Sequence, residues 1–415
     1  MTRDESIVLS YYIHCYVPLI SVANCTSNFL TSAYLPLAFR CNAVRDALVA
    51  TAAAHLYQAA TDTTRQSELL DLVSTCRSRC QRFINDRISL SGHVQRDMLE
   101  CIAVMLMLVG LEVQNGAFTP AWVNHLRCIR TSIRRHGGEG SFSRSSWEAG
   151  CIYRHFLYHD VMDFIMSGII SEDQYYEDDL LYGDETSAVA AESAVPPWAK
   201  YLSTETSSTN PHTLSVETIG SRETIHPLLG LSGNLFRLIR KIRRLPQFDC
   251  GTVDPFHIGL FHQLEREILA HQPDFTSLHN TPNLDGATNL DLHTLAEINR
   301  QVALILLYRR STAYALRIPE MAQNLLCLAE RIPLGSSTEA GLTYALFLAG
   351  AYLSLPEDTL RCSVRLYFIR QRLKVMNLSS VEEVLEEVWR EKRSGNGNWD
   401  WEHVLRKRQW VINLA

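Results

Sequence analysis

Two histidines spaced by four residues are the most reactive side chains that the sequence groups together. His155 and His159 lie in His-Phe-Leu-Tyr-His, and Asp160 follows directly. Residues at this spacing share one face of a helix, so the two imidazoles and the carboxylate could bind a metal or move protons. No glutamate follows the first histidine, so the metalloprotease signature is absent. A hydrogen-bonded pair that packs the core or lines a pocket is the simpler interpretation.

The cysteines lack the spacing of a zinc cluster. A binuclear cluster needs close Cys-x-x-Cys pairs, because its two metals share thiolates, and none of the 11 cysteines forms such a pair. Cys76 and Cys80 face one side of a predicted helix, but no third ligand lies nearby in the sequence. We therefore expect both thiols to pack in the core, as free cysteines do in a reducing compartment. We predict no metal site and no cofactor.

Two other segments have the composition of an anion-binding site. A glycine-rich turn at 137–140 follows a predicted helix, which favours helix termination over a phosphate cradle. Residues 237–244 carry five cations on an amphipathic helix, which predicts a solvated face or pairing with the acidic segment 172–187. The sequence contains no Walker loop, dinucleotide fingerprint or nucleophile elbow. We therefore predict that the protein is not an enzyme and assign no catalytic residue.

Charge and hydropathy exclude two further classes of protein. The formal net charge is -6, whereas a stand-alone DNA-binding protein usually carries a basic surplus that neutralises phosphates. Direct DNA binding by this chain is therefore not expected. The longest apolar run, 101–109, has about half of the ~20 residues that a bilayer-spanning helix needs. We predict no membrane segment.

Apolar residues recur at three- and four-residue spacing on both sides of a polar middle segment. This pattern predicts an all-α fold, a multi-helix array of packed antiparallel helices. We predict an N-terminal helical half over 1–171, an acidic and Ser/Thr-rich mobile, disordered linker over 172–225 and a C-terminal helical half over 226–415. The predicted helices are 35–60, 69–84, 98–113, 120–136, 145–167, 235–245, 254–271, 288–317, 319–331, 338–353, 357–376, 379–394 and 399–408.

Several segments, in their order along the chain, resemble a known family. They are similar to the fungal-specific transcription factor domain, the regulatory region that follows the binuclear zinc cluster in fungal transcription factors. Each motif is loose, and the order and spacing of the set are more specific than any member. The segments that carry the resemblance are 34–38, 47–56, 125–138, 156–163, 226–239, 303–310, 342–350, 384–390 and 398–405.

The resemblance implies an all-α regulator of transcription in the nucleus, often of a metabolic gene set such as one for secondary metabolism. Because the regulatory helices begin a few residues after Met1, we expect this chain to lack a DNA-binding module of its own. The expected partners are the transcription machinery or a DNA-binding regulator, a small-molecule effector and a second copy of the chain. The alternative is a helical small-molecule-binding or pathway-accessory protein, including an enzyme that uses His155, His159 and Asp160.

Overall fold

The protein is helical throughout the part of the chain that its structure, a computed structural model, describes. No β-strand occurs among these residues, so the predicted all-α fold is confirmed. The predicted linker, 172–225, lies outside them. The described residues are 2–23, 28–88, 92, 94, 96–116, 121–166, 226–230, 233–242, 245–248, 255–273, 284–395 and 399–412.

The five helices predicted in the N-terminal half are present, with one of them divided, and helices before residue 33 and at 138–144 add to them. The predicted helix at 35–60 is two helices, because Cys41 between them has an extended backbone with φ -128° and ψ 115°. One extended residue leaves the apolar spacing almost intact, so the sequence pattern does not reveal it. The helices are α1 (Arg3–Tyr11), a π-helical turn (Tyr12–Tyr16), α2 (Val17–Ile20), α3 (Phe29–Ser32), α4 (Tyr34–Arg40), α5 (Asn42–Ala59), α6 (Thr63–Asn85), α7 (Met98–Gln114), α8 (Ala121–Arg135), α9 (Gly138–Arg144) and α10 (Trp147–Met166).

In the C-terminal half, a tertiary contact divides one long predicted helix. The helix predicted at 288–317 ends at Tyr308, because the following backbone pairs with Phe248. The Phe248 amide donates to the carbonyl of Arg310 at 2.9 Å. The helices are α11 (Gly233–Ile242), α12 (Pro255–Ala270), α13 (Gly286–Tyr308), α14 (Thr312–Ala315), α15 (Ile318–Arg331), a 3-10 helix (Ser337–Gly341), α16 (Thr343–Tyr352), α17 (Pro356–Leu373), α18 (Asn377–Arg393) and α19 (Trp401–Arg408).

Two hydrophobic clusters form the core. The first gathers apolar side chains from α1 to α10 around α7, whose residues 101–109 are all buried, as expected for a helix that is apolar on every side. The second gathers the helices after residue 226, together with Val22 and Val161 from the N-terminal half. The halves therefore share packing where they meet, and their division into domains stays a prediction. None of the described helices is both long and apolar enough to cross a membrane.

Candidate functional site

The two halves are joined by backbone hydrogen bonds around Val22, and we call this region the junction. The Val22 amide donates to the carbonyl of Pro227 at 2.7 Å. Its carbonyl accepts from the hydroxyls of Ser337 at 3.1 Å and Thr338 at 3.2 Å. These bonds fix the segment after α2 against the 3-10 helix, so both halves take part in forming the surface between them.

A buried histidine makes a second link across the junction. His55 Nε2 lies 2.8 Å from the carbonyl oxygen of Leu373, at the end of α17. A carbonyl can only accept, so Nε2 carries the hydrogen. The other ring nitrogen, Nδ1, lies 2.8 Å from the hydroxyl of Tyr11 and accepts from it when the ring is neutral. The His55 ring therefore bonds both halves while uncharged.

A cavity lies between the two halves beside these links. Its volume is about 110 Å³, which is enough for several waters or one small apolar ligand. None of the described residues that line it is Asp, Glu, Lys or Arg. The lining residues are Tyr12, Tyr16, Ile20, Leu30, Thr51, Leu106, Met107, Gly110, Val113, Gln114, His155, Tyr158, His159, Leu228, Ala340, Thr343, Leu373, Val375 and Asn377.

The predicted histidine pair forms one wall of this cavity. His155, Tyr158 and His159 are spaced on one face of α10, and all three are buried. The Nε2 atoms of the two histidines are 3.1 Å apart, and His155 Nδ1 lies 2.6 Å from the hydroxyl of Tyr34. Both histidines line the cavity, and Tyr34, which sequence spacing did not associate with them, contacts the first of them.

The third residue of the enzyme hypothesis has a different role. Asp160 is buried and forms an ion pair with Arg130 of α8, so its carboxylate is already neutralised by a guanidinium. Burial lowers the pKa of His159 to about 3, and the pKa of His155 well below its ordinary value. An imidazole with so low a pKa is a weak proton acceptor near neutral pH, where general bases are usually tuned. This geometry does not favour acid–base catalysis at the pair.

A model of the fungal-specific transcription factor domain family matches residues 7–415. The chain belongs to this family. No curated protein and no solved structure matches the chain. The family assignment agrees with the helical fold, and it supports a regulator of transcription over an enzyme.

Segments typical of the family contact one another at Arg309. Its guanidinium lies 2.8 Å from the carboxylate of Glu402 and 4.7 Å from the centre of the Trp401 ring. Trp401 is 1% exposed and packs edge-on against Phe347, with ring centres 5.4 Å apart. The motifs at 303–310, 342–350 and 398–405 are therefore neighbours in the fold, although each is unremarkable in sequence.

Family motifs from both halves meet beside the cavity wall in the same way. Phe29 packs between two histidine rings, 5.6 Å from the centre of His155 and 5.2 Å from that of His226. His226 begins the 226–239 segment, and Tyr34 begins the 34–38 segment. These loose motifs are thus brought together beside the cavity.

One group of described residues has the composition of a metal site, but an arginine already occupies it. Ligand atoms of Glu5, Asp46 and Cys76 lie within 4.8 Å of one another. Arg79 Nη1 is 3.0 Å from Glu5 and 3.7 Å from Asp46, so the guanidinium supplies the countercharge there. Burial raises the pKa of the Cys76 thiol to about 12, which disfavours the thiolate that a metal needs.

The predicted partner of Cys76 is also engaged. Cys80 Sγ donates to the carbonyl of Ala43 at 3.4 Å, as the packing interpretation of these thiols expects. Neither thiol is exposed to solvent.

The two anion-binding candidates have structural roles. Gly137 ends α8 in the left-handed conformation, with φ 91°, which confirms the predicted termination. In the basic segment, Arg240 pairs with Glu139 at 2.8 Å and Lys241 with Glu267 at 3.8 Å. Both acids lie on other helices, so these two cations have partners that the sequence did not predict. The acidic residues at 172–187 lie outside the described part of the chain.

Burial of uncharged histidines predicts a pH-dependent stability. The pKa values of His55, His155 and His159 are all lowered, mainly by burial. The unfolded chain takes up a proton on each ring near pH 6.5, whereas the folded chain does so only at lower pH, so stability is present above pH 6.5 and is lost as the pH falls below it. For His159, whose pKa is lowered to about 3, the loss between pH 7.5 and 5.5 should be about 1.4 kcal/mol.

Urea unfolding at these two pH values measures the effect. His159→Asn removes one of the titrating rings. Between pH 7.5 and 5.5, the unfolding free energy of this variant should therefore fall by about 1 kcal/mol less than that of the wild type. Each protein is compared with itself at the two pH values, so any pH-independent effect of the substitution on stability cancels. Equal losses in both proteins would show that folding does not lower the pKa of His159.

Proposed function

We propose that this protein is a transcriptional regulator whose helical domain binds a small effector in the cavity at the junction. The observation that carries the proposal is the composition of the cavity wall. Side chains from α5, α7 and α10 of one half meet side chains from the 3-10 helix and the ends of α17 and α18 of the other. A ligand there contacts both halves, so it can favour one arrangement of the halves over another.

The domain would then change transcription through a partner protein. We propose that the domain acts in the nucleus on a metabolic gene set, and that it engages the transcription machinery or a DNA-binding regulator. The family match and the helical fold support the regulatory role. The net charge of -6 supports assigning the contact with DNA to another module or protein.

Gly110 provides a direct way to block the cavity. This residue lies within α7, lines the cavity and has no atom within 4 Å of the position that a Cβ would occupy. Gly110→Leu should therefore fill space that the ligand needs without displacing the surrounding helices. Gly110→Ala is the matched control, since it adds one methyl group and should stabilise the helix by about 1 kcal/mol.

The test fuses the full chain to a heterologous DNA-binding module upstream of a reporter gene, in cells grown on a panel of carbon and nitrogen sources. We expect the wild-type and Gly110→Ala fusions to change reporter output severalfold between nutrients, and the Gly110→Leu fusion to give one constant output. Circular dichroism and protein level verify that each variant is folded. If Gly110→Leu responds as the wild type does, the cavity does not carry regulation. If no fusion differs from the DNA-binding module alone, the transcriptional role itself is wrong.

A further inference from the structure

We propose that two copies of this chain associate through the exposed face of α17, with the two helices antiparallel about a two-fold axis. That face carries large apolar side chains in a row. Its charged residues are arranged so that a second copy of the same helix matches both of its ends. The inference concerns a surface other than the cavity, so it does not depend on the proposed function.

α17 is apolar on two opposite sides. One side packs in the core through residues such as Leu366 and Ile369, and this contact is enough to anchor the helix. On the other side, four apolar side chains at helical spacing are 45–64% exposed, where a surface helix normally carries polar residues. A contiguous exposed apolar patch is typical of a protein contact site. We call these four side chains the apolar stripe: Leu360, Val364, Tyr367 and Phe368.

The aromatic members of the apolar stripe are held in position within the chain. The rings of Tyr367 and Phe368 pack edge to face, with their centres 5.7 Å apart. The Arg370 guanidinium lies 5.7 Å from the centre of the Tyr367 ring, close enough to be attracted to it. Aromatic side chains that are ordered in advance lose little conformational freedom on binding, and such residues commonly dominate the energetics of protein interfaces.

The cations beside the apolar stripe are already neutralised within the chain. Arg361 lies 2.5 Å from the carboxylate of Glu330, and Arg370 lies 3.0 Å from that of Glu382. An anionic lipid surface or an acidic peptide is attracted by cations that lack such partners. The edges of the stripe therefore favour another protein surface of mixed charge over either of these.

The two ends of the apolar stripe carry opposite charges. Glu357 lies seven residues before Val364, and Lys374 lies seven residues after Tyr367, so both are equally far from the centre of the stripe. Both residues are exposed. An antiparallel second copy therefore places Glu357 of each chain beside Lys374 of the other, at both ends of the interface. A parallel copy would bring like charges together, which disfavours it.

The size of the apolar stripe sets the expected affinity. Four side chains that are each about half exposed cover less than the ~800 Å² per partner of a standard stable interface. We therefore expect a dissociation constant in the micromolar range. Sedimentation velocity of the purified full chain, from about 1 to about 200 µM, spans such a constant and should show monomers at the lowest concentration and mostly dimers at the highest.

Val364→Glu tests the stripe itself. A carboxylate at its centre would lose hydration against apolar side chains of the second copy, so the dissociation constant should rise more than about tenfold. Leu70→Glu on α6 is the matched control, since Leu70 is 53% exposed and lies outside the stripe. This control should associate as the wild type does. Circular dichroism and urea unfolding verify that both variants are folded.

Charge reversal tests the antiparallel arrangement. Glu357→Lys and Lys374→Glu should each weaken association about three- to tenfold, because each creates two pairs of like charges in the dimer. The double variant restores opposite charges at both ends and should associate as the wild type does. In a parallel pair, each single variant would only replace one pair of like charges by another, so its affinity would not fall.

Four results would overturn the proposal. Wild-type protein that stays monomeric up to about 200 µM would show that the stripe does not bind a second copy. A dimer that Val364→Glu leaves unchanged would have its interface elsewhere. Single charge reversals without effect would exclude the antiparallel arrangement. Binding to phosphatidylserine vesicles by the wild type but not by Val364→Glu, with no dimer formed, would assign the stripe to a membrane surface instead.

Discussion

Replacement of Glu339 by alanine should lower the free energy of unfolding by about 3–5 kcal/mol, because it leaves buried guanidinium groups without their countercharge. The Glu339 side chain is 2% exposed and lies in the 3-10 helix at the junction. Its carboxylate is 2.9 Å from Arg365 Nη2 and 3.6 Å from Arg372 Nε. Both arginines extend from α17, and burial lowers the pKa of each.

Arg372 connects this network to the junction. Arg372 Nη2 lies 3.4 Å from the Leu19 carbonyl of the N-terminal half, and its Nη1 donates to the carbonyl of Gly335 at 3.1 Å. The Gly335 amide in turn donates to the Glu339 carboxylate at 2.8 Å. Loss of the carboxylate therefore removes a hydrogen-bond acceptor and a charge from one connected network.

A matched control pairs with another arginine of α17. Glu330 of α15 pairs with Arg361 of α17 at 2.5 Å, but both side chains are about two-fifths exposed, at 38% and 40%. Glu330→Ala should therefore cost less than about 1 kcal/mol. Glu339→Gln keeps the volume and one acceptor oxygen, so its cost should fall between the two. Urea unfolding measures all three variants. An equal cost for Glu339→Ala and Glu330→Ala would show that solvent reaches the buried network.

Apolar spacing predicted the faces of the helices but not their partners. The predicted helix at 98–113 is apolar on all sides, and α7, which forms there, is buried along most of its length. Leu69, Cys76, Cys80 and Ile84 form the buried face of α6, as their spacing predicts. A helical period specifies which side chains share a face, and this information is local.

The cavity could not be predicted in this way, because it depends on pairs of residues far apart in the chain. Tyr34 and His155 are separated by 121 positions, and His55 and Leu373 by 318. Gly110 carries no signal of its own, since a glycine within a helical pattern does not reveal whether it faces solvent, another helix or empty space. The spacing of His155 and His159 placed them on one face. The ion pair of Asp160 with Arg130 of α8 depends on how the two helices pack, which the sequence does not show.

The second large effect is expected at Gly116, where Gly116→Ala should destabilise the protein by about 3 kcal/mol. Gly116 follows α7 with φ +64°, and a Cβ there would lie 2.8 Å from both the carbonyl carbon and the oxygen of Met376. These are backbone atoms, held in place because the Met376 amide donates to the Gln114 carbonyl at 2.8 Å. The Ser380 hydroxyl also donates to the Gly116 carbonyl, at 3.1 Å. The substitution should therefore separate the end of α7 from the start of α18.

Gly395 separates backbone strain from this collision. It follows α18 with φ +72°, and no atom of the described residues lies within 4 Å of the position for its Cβ. Gly395→Ala should therefore cost only the strain of a left-handed alanine, about 1 kcal/mol. The remainder of the Gly116→Ala effect, about 2 kcal/mol, measures the contact between the halves. Because Val113, Gln114 and Asn377 line the cavity beside this contact, Gly116→Ala should also weaken the nutrient response of the reporter fusion, and Gly395→Ala should not. Equal unfolding free energies for the two variants would show that the ends of α7 and α18 are not in contact in solution.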